Sequence, residues 1–306
     1  MSTTPSTSQP RGEGERVLVL GGGGSTGNAW LIGVVAGLHE AGLDVTSAGL
    51  TVGTSAGSTA AAQLAGGTPA ELFAAALTPI PPRPAGAAGA ARPGGGRGPV
   101  RSAADQMART AAIIAAADDV ADMRRRMGAA ALELDAASDG SWSARWRETV
   151  AARLTTLRWP ERELRITAVD ARTGEPVVLD RDSGVDLADA VAASCSSGLP
   201  YRIGDRRYID GGYRRNENAD LAAGYRRVLV LSPFGGRSRH PRAWGTDLAT
   251  QVDELRATGS RVATVFPASE AMFGANAMDV SLRPAAARAG HDQGVALAGE
   301  LTELWR

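Results

Sequence analysis

Two glycine-flanked segments carry residue types able to do acyl-transfer chemistry. GTSAG, Gly53 to Gly57, fits G-x-S-x-G, the pattern of a serine set on a sharp strand-to-helix turn. Small neighbours are a steric requirement there, because the serine sits in strained backbone and the last glycine lets the helix pass close to the strand. Ser55 would point its hydroxyl outward, and the N–H of Ala56 at the helix start would face a developing oxyanion. Upstream, LGGGGSTGNAW (residues 20 to 30) places four glycines directly after the apolar run Val17-Leu18-Val19-Leu20. Bare backbone of this kind serves either a turn or an anion-binding loop. An acyl-transfer serine needs two or three main-chain donors, and Gly22, Gly23 and Gly24 are the expected set, each typically worth about 3 to 4 kcal/mol of barrier.

A serine hydroxyl is a poor nucleophile at neutral pH without a proton acceptor in reach. The three histidines, His39, His240 and His291, sit in no motif. YIDGGY (208 to 213) is the better source of a base: an apolar approach, Asp210, then two glycines that allow close packing of the carboxylate against another backbone. An aspartate near its reference pKa of about 3.9 is a weak base, so Asp210 has to be buried beside the serine to be useful. The plainer reading of Asp210 is a turn aspartate, D-G being common hairpin chemistry. The plainer reading of the glycines is a dinucleotide turn, since Gly22, Gly24 and Gly27 satisfy G-x-G-x-x-G. That turn calls for an acidic residue ending the second strand, where this chain has Gly-Thr-Ser.

The elements that must position these residues follow a repeated order. A buried-type strand at 16 to 20 leads through the glycines into an apolar helix from about Asn28 to Ala41. A second strand at Leu50 to Val52 runs through GTSAGS into an Ala-rich helical stretch. Two strand-loop-helix units predict a parallel sheet with flanking helices. Residues 78 to 100 are too rich in Pro and Gly to fold alone and read as a mobile loop, a lid or a plain insertion. Helical patterns cover about Ser102 to Leu154, including the exposed-face run Arg124 to Arg126. Strands are expected in 164 to 171, 176 to 181, 226 to 233 and 261 to 268, with helices near Leu187 to Ala193 and from about Pro284 to Trp305. One α/β domain over 16 to 306, with a helical insertion and a disordered tail at 1 to 15, is the economical organisation.

Composition narrows the chemistry. Acidic and basic residues balance at 33 each, so no global field draws the chain to nucleic acid. All basic residues are arginine, which excludes a Walker-type lysine, a Schiff base and a Ser-Lys dyad. The one cysteine, Cys195, cannot form an internal disulfide or a Cys-rich metal site and reads as a small buried residue. Without an apolar leader or a run of about 18 apolar residues, a cytoplasmic location is expected. The arginine pairs 206/207, 214/215 and 226/227 read as solvated surface, with contact to phosphate head groups as the sharper alternative.

GGGGSTG, GTSAG and DGG, in this order and spacing, resemble the patatin-like phospholipases, with ASCSSGLPY (193 to 201) as a further likeness. The resemblance covers residues 16 to about 268. It implies a three-layer α/β/α fold with a mainly parallel central sheet and a helical, loop-rich insertion. It also implies a Ser-Asp dyad that works without histidine, with Ser55 as nucleophile, Asp210 as base, and Gly22, Gly23, Gly24 and Ala56 as main-chain donors. Neither metal nor organic cofactor is implied; the partner would be a lipid or other acyl ester, met through transient contact with a membrane surface. Two departures stand out: Thr26 occupies the place of the usual basic loop residue, and the usual Asn-x-Pro appears as Asn218-Ala219-Asp220. Two alternatives remain: a Ser-His-Asp hydrolase using Ser55, Asp210 and His291, and a non-catalytic lipid-binding module on the same fold.

Overall fold

The computed structural model describes residues 15–79 and 103–306. The tail expected at 1 to 15 and the loop expected at 78 to 100 therefore lie outside the described residues, apart from Glu15, Thr78 and Pro79. The chain opens with β1 (Arg16–Leu20), α1 (Gly24–Glu40), β2 (Leu50–Gly53) and α2 (Ala56–Gly66). Then come α3 (Pro69–Leu77), α4 (Ala103–Ala116), α5 (Val120–Ala136), α6 (Trp142–Ala151), β3 (Glu163–Asp170), β4 (Pro176–Leu179) and α7 (Leu187–Ser194). The remainder is β5 (Tyr201–Ile203), β6 (Arg206–Asp210), β7 (Arg227–Leu231), α8 (Leu248–Ala257), β8 (Arg261–Val265) and α9 (Arg283–Trp305).

The strands form one sheet of order β5-β6-β3-β2-β1-β7-β8, with β4 also paired to β3. The pairs β1/β2, β1/β7, β2/β3 and β7/β8 are parallel, whereas β4 and β6 run antiparallel to β3. Central parallel strands are covered on both faces and so are apolar on both. Leu18 and Leu20 pack with residues of α1, α2, α7 and α9. Val17 and Val19, on the opposite face, join Val228, Val230 and residues of α8. Residues of α4 and α5 close the same side further along, against Val169 and Ile209. This is the expected layer order of helices, mainly parallel sheet, helices. Among the described residues no helix is long and apolar enough to cross a membrane.

Register explains how the site is assembled. β3 pairs with β2 over Glu163 to Ile166 and with β6 over Ala168 to Asp170. β4 occupies the other edge of β3 from Ile166 to Val169, so β2 and β6 share one edge and meet end to end. Gly53 is opposite Ile166 and Asp210 opposite Ala168, two residues apart along β3, or about 7 Å. The end of β2 thus delivers Ser55, two residues on, to the same gap as Asp210, the last residue of β6.

Three local outcomes differ from expectation. Helix α1 begins at Gly24, four residues before the expected start, so only three glycines form the loop. The Ala-rich stretch after the serine breaks into α2 and α3, because Thr68 accepts from the Glu71 N–H in a capping box with Pro69 in the first turn, a strong start signal. The β5/β6 hairpin and α8 were not anticipated; β5 and β6 turn at Gly204, which has φ +56°.

Helices α1 and α9 cross at backbone contact. A Cβ on Gly33 or Gly37 would overlap carbonyl oxygens of Ala287 or His291, and one on Gly290 or Gly294 those of Trp30 or Val34. Only glycine fits at such a crossing.

Candidate active site

Ser55 stands between β2 and α2 with φ 51° and ψ −115°, a conformation rare for a residue with a side chain and typical of strain held at a functional turn. The flanking glycines are obligatory for packing: a Cβ on Gly57 would overlap the Leu20 carbonyl oxygen, and one on Gly53 would lie 2.7 Å from Ser58 Cα. The turn is further pinned by the Ser55 N–H, which donates to Ser194 Oγ at 2.9 Å, and by Ser58 Oγ–H, which donates to the Ser55 carbonyl at 2.7 Å.

The Ser55 hydroxyl donates to Asp210 Oδ2 at 2.9 Å. The other carboxylate oxygen accepts the Gly212 N–H at 2.8 Å. Asp210 is only 8% exposed, and burial pushes its pKa up to about 6, against the two hydrogen bonds that favour the anion. The carboxylate therefore gains basicity while still ionising below neutral pH. Asn218 links the two ends: its Nδ2 shares two hydrogens among the Arg215 carbonyl at 2.6 Å, Thr54 Oγ1 at 2.9 Å, Thr167 Oγ1 at 3.2 Å and the Gly211 carbonyl at 3.3 Å. It does so from the left-handed region, at φ 56°. Asp220, standing where the usual proline would be, binds Arg214 at 2.5 Å.

The glycine loop sits beside this pair. The Gly22 N–H, expected as an oxyanion donor, is instead given to the Asn216 carbonyl at 3.0 Å. The reason is that the chain leaves β1 still extended: Gly21 N–H donates to Leu231 O before the loop turns. That removes Gly22 from the available donors. Among the described residues no acceptor meets the N–H groups of Gly23, Gly24 or Ala56, the last two being at helix starts, where orphan donors favour anions. Thr26 points inward, fully buried, with its N–H on the Ala277 carbonyl at 3.0 Å.

The histidines are elsewhere. His291 bonds Glu40 at 2.9 Å and stacks on Phe73; Glu40 is the last residue of α1, roughly 24 Å along the helix from Gly24 by helical rise. The triad expected as an alternative with His291 is therefore not assembled. His240 bonds Thr246, and burial pushes its pKa down to about 4. Arg207, Arg214, Arg215 and Arg227 are each bound to a carboxylate, which accounts for four members of the arginine pairs without a head group. Among the described residues no three His, Cys, Asp or Glu gather as a metal site.

Sheet order, a strained serine turn and an adjoining buried carboxylate define an α/β protein with a hydroxyl–carboxylate pair at the end of its sheet. The profile of the patatin-like phospholipases matches residues 18–223, and the chain belongs to that family. VipD from Legionella pneumophila is a similar solved structure at 14% identity and TM-score 0.42, covering 94% of this chain and 67% of its own. The type III effector protein ExoU is similar at 16% identity and TM-score 0.34, covering 92% of this chain and 53% of its own. No curated protein matches the sequence.

Proposed function

We propose that the protein is a serine acyl hydrolase that cleaves a carboxylic ester of a lipid through an acyl-enzyme on Ser55. The carrying observation is the 2.9 Å hydrogen bond from Ser55 Oγ to a buried carboxylate, and the family membership supports a lipid substrate. Ser55 Oγ attacks the ester carbonyl carbon as its proton passes to Asp210 Oδ2. The oxyanion faces the N–H groups of Gly23, Gly24 and Ala56. Collapse breaks the ester C–O bond, and the leaving alcohol takes the proton from Asp210. Water then attacks the acyl carbon, Asp210 takes its proton, and release of the fatty acid returns that proton to Ser55. Met278 and Val280, 68% and 43% exposed, adjoin Ala277, which seats the loop, and support brief contact with a lipid surface.

The test is intact-mass labelling with a fluorophosphonate, in which Ser55 Oγ bonds to phosphorus and fluoride leaves. Wild type and His291→Ala are expected to label, and Ser55→Ala and Asp210→Asn to stay unlabelled. A folded wild type that takes no label overturns the hydrolase and favours the lipid-binding module.

A further inference from the structure

Arg283, at the start of α9, reaches the first turn of α1. Its Nη1 donates to the Ser25 carbonyl at 2.8 Å and to Asn28 Oδ1 at 3.1 Å, with Ser25 Oγ at 3.4 Å. Among the described residues no carboxylate pairs with it and no acceptor meets its Nε or Nη2, and neither nitrogen is sealed from solvent. The segment 80–102 contains no acidic residue, and residues 1–14 contain only Glu13. Burial lowers the Arg283 pKa, and the charge it feels is another arginine, Arg153. A cation desolvated beside a second cation is an unfavourable arrangement unless an anion completes it.

Arg153 is linked to Arg283 through two side-chain amides. Asn28 Nδ2 donates to Gln63 Oε1 at 3.0 Å, and Gln63 Nε2 donates to the Arg153 carbonyl at 2.9 Å. The Arg153 guanidinium lies over Trp146 at 5.5 Å and has no carboxylate among the described residues. It also acts on Cys195, whose thiol donates to the Ser55 carbonyl at 3.2 Å. Gln63 lies about two turns along α2 from Ser55. The hydrogen-bonded run Arg283–Asn28–Gln63–Arg153 thus ties both arginines to α1 and α2, the helices that follow the glycine loop and Ser55.

We propose that Arg283 and Arg153 form an anion subsite that seats the phosphate of a glycerophospholipid while its acyl ester faces Ser55. A tetrahedral phosphate offers oxygens to two guanidiniums at once, whereas a planar carboxylate is satisfied by one fork. The assignment rests on the Ser55 acyl-hydrolase reading for the ester, but not for the anion.

Two measurements test it. The first compares kcat/KM on a short-chain phosphatidylcholine and on the diacylglycerol with the same acyl chains. Arg283→Gln and Arg153→Gln are each expected to lower the phospholipid-to-diacylglycerol ratio about tenfold to a hundredfold, mainly through KM, as loss of a charged hydrogen bond does. Equal loss on both substrates would make Arg283 a brace of the loop and overturn the subsite. The second titrates Ser55→Ala protein with sn-glycerol 3-phosphate by tryptophan fluorescence, Trp146 lying under Arg153. Saturable binding is expected, abolished by adding Arg283→Gln, and its absence overturns the proposal. Binding without any ester hydrolysis by wild type keeps the subsite and sinks the hydrolase. Binding by an enzyme that hydrolyses both lipids with equal preference marks a free-phosphate site and overturns the head-group assignment.

Discussion

Replacing Asp210 by Asn should abolish activity and stabilise the fold, and the size of the second effect depends on pH. The carboxyl is buried and its pKa stands near 6 instead of 3.8, a difference of about 2 units, or about 3 kcal/mol at 1.36 kcal/mol per unit. The sign follows from proton binding: between the two values the folded chain holds a proton that the unfolded chain has lost, so stability falls as pH rises through this window. The cost is absent well below 3.8 and complete above about 6. An asparagine keeps an oxygen for the Gly212 N–H and an amide for Ser55 Oγ, but carries no charge to desolvate. Asp210→Asn should therefore gain up to about 3 kcal/mol at pH 8, which for a chain of this size raises the melting temperature by roughly 5 to 10 °C. The gain should shrink steadily toward pH 4. Calorimetric melts of both proteins across pH 4 to 8, beside fluorophosphonate labelling rates, provide the assay. For wild type, labelling should fall tenfold per unit below about pH 6. A variant no more stable at pH 8, or wild-type labelling flat through pH 6, would refute the assignment of a buried, ionising base.

Asn218→Gly keeps the left-handed backbone but removes the amide that ties Thr54, Thr167 and Gly211 together; labelling should slow about tenfold to a hundredfold, from loss of several buried hydrogen bonds. The acid limb should also move below 6 as Asp210 loosens toward water, a shift that stability loss alone does not produce. Cys195, whose thiol burial pushes up to about 11, should react with iodoacetamide at pH 8 about a hundredfold more slowly in the native protein than in urea. Comparable rates would show the thiol to be open.

Much of the scaffold was readable because its signals are local. The apolar strand β1, the glycine loop and GTSAG follow each other within one supersecondary unit, and period and turn chemistry reveal them. Thr68 with Pro69 and Glu71 was an equally local signal for the start of α3. The proximity of Ser55 to Asp210 has no such source. It depends on β2 and β6 sharing one edge of β3, a matter of register between segments 155 residues apart, and motif resemblance stood in for it. The availability of each loop N–H was equally hidden. Gly22 and Gly23 are the same letter, yet the Asn216 carbonyl takes one donor and, among the described residues, nothing takes the other. Arg283 was one arginine among 33, and only the fold shows that α9 sets it against Ser25.

The seat of the glycine loop has a consequence for modularity. Gly21 hangs from Leu231, Gly23 and Gly27 rest on Pro233, Thr26 hangs from Ala277, and α1 is keyed by glycine into α9. All of these supports lie beyond residue 223, where the family match ends. The C-terminal quarter is therefore not a removable appendage to the segment that the family profile matches. A fragment ending at 223 would bare one edge of β1 and one flank of α1. The C-terminal quarter can be exchanged only together with the glycine loop that it holds.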